Sequence, residues 1–185
     1  KTKLTRANGL LSKLRHYVDK NILNLIYHSL FKSHLLYGSS VWRKAITTNF
    51  RHLQSLQDKA IRIISFKLPI HPANELYRAL NMLKLEDIIF VNNVVFVKEF
   101  LKNNVPDAFN QYYIMVAQQH NHNTRGLLNQ NVVTPQINTT KYGRDSFKYK
   151  SSLNWNTFTR NFQFINIERL SGIQLFNCIK KQILS

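Results

Sequence analysis

The sequence predicts a mainly α fold: a basic helical bundle, followed by a helical C-terminal extension that contains an irregular segment with short extended pieces. Three observations carry this. Apolar residues recur at three- and four-residue spacing over most of the first two thirds of the chain. Only 5 Gly and 4 Pro punctuate 185 residues. Residues 116–145 then turn rich in Gln, Asn, His and Thr, a composition that suits loops and short extended pieces.

The elements follow in order. Leu4, Ala7, Leu11, Leu14 and Val18 lie on one helical face. A second helix is expected from about Asn21 to Tyr37, apolar over an arc of Ile22, Leu23, Ile26, Tyr27 and Leu30 and stopped by Gly38. The third runs from about Asn49 to Phe66, with Thr47, Thr48 or Asn49 as N-cap and Pro69 ending it. Its apolar face is Phe50, Leu53, Leu56, Ala60, Ile61 and Ile64. Pro72 suits the first turn of a short fourth helix containing Leu76 and Leu80. A fifth helix, from about Leu85 to Lys102, is apolar on most sides and is expected to be central. Residues 72–115 are therefore read as helical and 116–160 as irregular, with Leu127, Leu128, Val132 and Val133 as a short strand. A terminal helix over 171–184 presents Leu175, Cys178, Ile179 and Ile183, with Lys180 and Lys181 at its C-terminal end.

Composition bounds the function. A 21.8 kDa chain that is 44% hydrophobic can bury a real core and is no disordered tail. Against 26 Lys and Arg stand 9 Asp and Glu, a net charge of +17. Such a chain needs an anionic partner; nucleic acid is the first candidate and an anionic membrane surface the second. The excess is concentrated: residues 1–67 hold 13 basic and 2 acidic side chains, residues 68–115 hold 4 and 5, and residues 116–185 hold 9 and 2. The expected division is thus a basic unit over 1–67 and an extension over 68–185. A single cysteine, Cys178, excludes a disulfide framework and a Cys-based zinc site. The longest apolar stretch, Ile88 to Val97, is short of a membrane span and broken by Asn92 and Asn93. No secretory signal pattern is present, and the opening inside a helix at Lys1 reads as a piece of a longer intracellular protein.

Placement of the cations gives the candidate site. Lys3, Arg6 and Lys13 share one side of the first helix with Tyr17, away from the Leu4/Leu11/Val18 face, and Arg15 follows them. On the third helix Arg51, Lys59 and Arg62 lie opposite Phe50, Leu53 and Ile64, with Asp58 the one acid on that stripe. Rows of flexible cations suit backbone phosphates; the plainer alternative is a solvated helix surface. Tyr37, Trp42, Tyr149 and Trp155 are of a type that stacks on bases or packs in a core, and Trp42, preceding Arg43 and Lys44, is the best stacking candidate. His120 and His122, two apart, are weak metal ligands with no Cys nearby. Glu86 and Asp87 suit a first helical turn. No nucleophile elbow and no phosphate-binding loop occurs, and no catalytic constellation is seen.

An ordered series of segments resembles a known family. The opening Leu4-Thr-Arg-Ala-Asn-Gly-Leu-Leu-Ser-Lys-Leu-Arg-His-Tyr-Val18 is similar to the segment after the polymerase palm in jockey-type non-LTR retrotransposon reverse transcriptases. Similar too are Ile26 to Gly38 with Val41-Trp42, Leu53 to Ile64, Leu83-Lys-Leu-Glu-Asp-Ile88, Val105-Pro106, Asn123-Thr-Arg125, Tyr142-Gly143 through Ser146, Trp155-Asn156, and Phe176 with Ile179-Lys180. No single motif is specific; their order over nearly the whole chain is. The resemblance implies that residues 1–67 form a thumb gripping an RNA template and DNA primer or target, beside palm and fingers domains that lie upstream. It implies RNA-directed DNA polymerisation by the parent protein, with magnesium only in that palm and a nuclear or cytoplasmic element ribonucleoprotein as the setting. The family's Tyr-x-Asp-Asp is missing and no Asp-Asp occurs, so the chain departs from the family by lacking the polymerase site and needs no cofactor of its own. No small-molecule substrate and no membrane partner is expected.

Two other classes stay open. One is a stand-alone or decayed basic helical module that binds nucleic acid or a partner without enzymatic role. The other is a metal-dependent or hydrolytic enzyme built on His120 and His122.

Overall fold

Helical spacing becomes helix at nearly every place the sequence marks it. The computed structural model describes residues 2–36, 47–119, 131–139, 143–162 and 170–184, and over these the fold is mainly α with no strand. The elements are α1 (Thr2–Leu14), α2 (Lys20–Ile26), a π-helical segment (Tyr27–Lys32), α3 (Ser33–Leu36), α4 (Thr47–Ile64), α5 (Ala73–Ala79), α6 (Leu85–Leu101), a 3₁₀ turn (Asp107–Phe109), α7 (Val116–Gln119), α8 (Phe147–Asn161) and α9 (Gly172–Leu184). Among the described residues no helix is long and apolar enough to cross a membrane. The chain divides into two compact units, residues 1–88 with 183–185, and residues 89–182.

In the first unit α1 buries Leu4, Ala7 and Leu11, as their spacing predicts; Val18 lies beyond the helix and is half-buried. Asn8 Nδ2 donates to the Leu56 carbonyl at 2.9 Å, and the Arg15 guanidinium lies 5.4 Å from the centroid of the Phe66 ring. Both contacts rise together along the chain, so α1 and α4 run the same way. Asp19 caps α2, accepting from the Ile22 N–H at 2.9 Å. The buried stripe that follows is Leu23, Tyr27, Phe31 and Leu35. Ile22 and Leu30, expected inside, are exposed. The reason is the period. A spacing of four overshoots an α-helix, whose residues turn by about 100° each. The π segment adds one residue to a turn and brings Phe31 and Leu35 back into line. Tyr37 and Gly38 lie outside the described residues.

Helix α4 begins at Thr47, so Thr47, Thr48 and Asn49, each a candidate for its N-cap, all lie within it. It ends before Pro69, at a Schellman motif in which the Phe66 N–H donates to the Ile63 carbonyl and the Lys67 N–H to the Arg62 carbonyl. Pro72 precedes α5 as its N-cap residue. The expected boundary at residue 67 is not where packing divides the chain: the first unit continues to Ile88. Two glutamines of α4 account for this. Gln57, fully buried, donates to the Tyr27 hydroxyl and the Leu83 carbonyl, both at 3.0 Å, and accepts from the Leu85 N–H at 2.9 Å. Gln54 Oε1 accepts from the same N–H at 3.1 Å, while its Nε2 donates to Asp58 and to the Tyr77 hydroxyl. The start of α6 is thereby tied to the middle of α4.

The second unit holds most of α6, which buries Ile89, Val91, Val94 and Val97 and is covered on most sides, as expected. Phe96, Phe100, Phe109, Tyr112, Tyr113 and Phe147 meet in edge-on and tilted pairs. Met115 and Val132 form an isolated antiparallel bridge, which is all the extended pairing found among the described residues; Leu127 and Leu128 lie outside them. The reading of 116–160 as irregular is overturned by α8, fifteen residues long and capped by Ser146, whose Oγ accepts from the Tyr149 N–H at 3.3 Å. Its buried face is Ser151, Ser152, Trp155, Phe158 and Thr159, so an aliphatic stripe is absent. The serine hydroxyls donate to carbonyls one turn back, Ser151 to Phe147 at 2.6 Å and Ser152 to Lys148 at 2.8 Å. Asn156 accepts from the Val132 N–H at 3.0 Å and donates to its carbonyl at 2.9 Å, holding Val132 as a neighbouring strand would. A capping box opens α9: Gln174 N–H donates to Ser171 Oγ at 3.2 Å and Ser171 N–H to Gln174 Oε1 at 2.8 Å.

Candidate nucleic-acid interface

The cations of the first unit divide into two groups. Lys3, Arg6 and Lys13 are exposed on α1, and Arg51 and Lys59 are exposed on α4. Arg15 and Arg62 are half-buried and engaged with the loop after α4. Arg15 covers the Phe66 ring, and Arg62 Nε donates to the His71 carbonyl at 2.8 Å, bracing the loop that follows α4. Arg62 is therefore not a purely solvated cation, as its place on the stripe suggests. Trp42, Arg43 and Lys44 lie outside the described residues.

Asp58, the acid on the α4 stripe, is turned aside. Its Oδ1 accepts from the Tyr77 hydroxyl at 2.8 Å and from Gln54 Nε2 at 2.8 Å. Burial, reinforced by the charge and hydrogen bond of Asp58, holds the Tyr77 phenol far above its ordinary range. The carboxylate thus faces α5, and Arg51 and Lys59 keep an exposed face without an acid partner on their own helix. Of the aromatic candidates, Trp155 is fully buried and Tyr149 half-buried, so Trp155 is core.

Compared with known proteins, the chain matches no family model, no curated protein and no solved structure.

Other polar clusters do different work. Lys98, buried on α6, donates to the Leu170 carbonyl, and burial lowers its pKa, with Lys102 adding to the effect. Lys102 reaches the same carbonyl at 3.2 Å. In the first unit a cavity of about 360 Å³ is lined by Glu75, Arg78, Lys84 and Asp87 among others, a mixed-charge lining that suits no polyanion. Burial raises the Asp87 pKa against the pull of Lys84. His120 and His122 lie outside the described residues, and among the described residues no three His, Cys, Asp or Glu side chains gather where a metal would bind.

Phe66, Leu68 and Ile70, at and beyond the end of α4, are not among the candidate site residues that the sequence marks. Three helices close on a residue with positive φ: Asn81 after α5, Asn103 after α6, and Phe66 after α4, at φ 55°. Asparagine is at home there; a phenylalanine bears a cost of about 1–2 kcal/mol. Beyond it Leu68 is 72% and Ile70 91% exposed, and Phe66 itself 46%. The signal in the sequence was the aromatic residue at a helix stop, Ser65-Phe66-Lys67, where Gly or Asn is usual.

Proposed function

We propose that the chain is a non-catalytic, nucleic-acid-gripping part of a non-LTR retrotransposon reverse transcriptase, holding the template–primer hybrid for a palm domain outside this sequence. The observation that carries the reading is the exposed cation set Lys3, Arg6 and Lys13 on α1 and Arg51 and Lys59 on α4, with Asp58 drawn away toward Tyr77. Cations spaced along two helices that run the same way meet phosphates without reading bases, which is what a polymerase thumb requires. RNA template and DNA primer or target are then the partners, and magnesium belongs with the palm. In this reading the unit through Ile88, rather than through residue 67, is the gripping module, because α4 and the start of α6 are joined by Gln54 and Gln57.

The test is a salt titration of binding to a primed RNA/DNA hybrid. Affinity should fall by orders of magnitude between about 50 and 200 mM salt. Changing Arg51 and Lys59 to Ala should lower the slope by about one unit per lost phosphate contact and weaken binding equally on unrelated sequences. Binding that ignores salt, or a slope unchanged by the double substitution, refutes the assignment.

A further inference from the structure

The loop after α4 is ordered, apolar and exposed at once. Its backbone is fixed by the Schellman bonds of Phe66 and Lys67 and by the His71 N–H, which donates to the Leu68 carbonyl at 3.1 Å. Arg62 braces it through the His71 carbonyl, and Arg15 is laid over the Phe66 ring. Lys67 is exposed between the apolar tips, and no acid occurs in the sequence from Lys59 to Asn74. The positive φ at Phe66 belongs to the Schellman stop of α4, but that stop calls for Gly or Asn rather than phenylalanine, and it does not require Leu68 and Ile70 to face water. Strain of this kind, kept in place by its surroundings, points to a functional surface.

We propose that residues 66–70 form an apolar wedge that enters the minor groove of a nucleic-acid duplex and parts adjacent base pairs, with the cations at its base meeting the flanking phosphates. The inference rests on the nucleic-acid reading above and adds the mode of contact. Leu68 and Ile70 project furthest, the Phe66 ring being covered by Arg15, and aliphatic side chains cannot stack as aromatic platforms do on single strands. They are the type that slips between base steps from the minor groove. A duplex fits better than an anionic membrane because of where the other cations lie. The wedge sits at the C-terminal ends of α1 and α4, while Lys3 and Arg51 lie about 15–20 Å back along the helix axes at 1.5 Å per residue. A duplex running beside the helices reaches both; a flat surface touching the tip does not.

The experiment compares the full chain with a Leu68→Ser, Ile70→Ser variant and with Phe66→Asn. The probe is a short RNA/DNA hybrid carrying 2-aminopurine in the DNA strand. The double serine variant should bind about tenfold more weakly, about 1.4 kcal/mol, at every salt concentration. Its salt slope should match the parent's, because no phosphate contact is lost. Aminopurine fluorescence should rise with the parent and not with the variant. Phe66→Asn should melt no lower than the parent and still bind less well, which a purely structural role would not produce. Parallel binding to phosphatidylserine vesicles separates the alternative. If the serine variant loses vesicle binding and keeps the hybrid, the loop is a membrane element and the wedge is refuted. Unchanged hybrid affinity, or no fluorescence change with the parent, also overturns it while leaving the cation grip standing. A parent that fails to bind the hybrid at low salt overturns both.

Discussion

Gln57 makes three hydrogen bonds from a fully buried side chain in the first unit. Replacing it with Met keeps the volume and the unbranched shape, so packing changes little. Three hydrogen bonds go. The Leu85 N–H keeps Gln54 Oε1 at 3.1 Å, but the Tyr27 hydroxyl and the Leu83 carbonyl each lose the buried amide that meets them. A buried polar group stranded in this way costs about 1–3 kcal/mol, so with two of them Gln57→Met should cost about 2–6 kcal/mol. At about 2–4 °C per kcal/mol for a chain of this size, the melting temperature should drop by about 4–24 °C. Gln54→Met is the control. It is half-buried, the Tyr77–Asp58 bond at 2.8 Å survives, and Leu85 keeps Gln57, so its cost should be about 1 kcal/mol. Helix circular dichroism followed against urea and against temperature gives both values. Equal costs for the two variants, or a Gln57 cost below about 0.5 kcal/mol, would refute the claim that this amide joins α4 to the start of α6.

Alkaline pH should unfold the protein through its buried phenols. Burial, partly offset by the bond from Gln57, pushes Tyr27 up to about 12, and burial raises Tyr77 and Tyr113 as well. Unfolded tyrosines release their protons near pH 10 while the native ones keep them, so this stability is intact below about pH 10 and is lost as pH rises. Tyr27 alone accounts for about 3 kcal/mol between pH 10 and 12. Tyrosinate absorbance should rise together with loss of helix, and smooth ionisation near pH 10 with the helices intact contradicts the burial argument. Trp155→Ala should cost about 3–5 kcal/mol, since the ring is fully buried in α8; urea titration checks it, and a cost under about 1 kcal/mol would mean that α8 is not part of the core.

Much of the helical architecture was legible, and the exceptions have physical causes. Helices α1, α4, α6 and α9 announce themselves because aliphatic residues fall at helical spacing. Helix α8 did not, because Ser151, Ser152 and Thr159 bury a face that reads as polar, their hydroxyls being satisfied within the helix or by Asn131. The boundary near residue 67 followed the fall in positive charge, whereas packing follows the Gln54 and Gln57 bonds, and no periodicity marks a glutamine as buried. Of the candidate site, Lys3, Arg6, Lys13, Arg51 and Lys59 were placed on exposed faces by the wheel alone. The contacts of Arg15 and Arg62 were not legible, since they depend on Phe66 and His71 in a loop whose course the sequence leaves open.

The π segment after α2 makes a statement about length. From Leu23 to Leu35 the buried stripe takes twelve residues to complete three turns, where an α-helix takes about eleven. One residue in this stretch is surplus. A chain lacking one of the exposed positions, Ser29 for instance, would space its buried side chains at four, three and four, which an unbroken α-helix satisfies. Single-residue gaps are therefore structurally silent between Tyr27 and Phe31, and an alignment that forbids them would set Phe31 and Leu35 against the wrong partners. Two residues lost there would leave everything beyond about 80° short of the present line and expose part of the stripe. The helix tolerates the loss of one residue there and not of two.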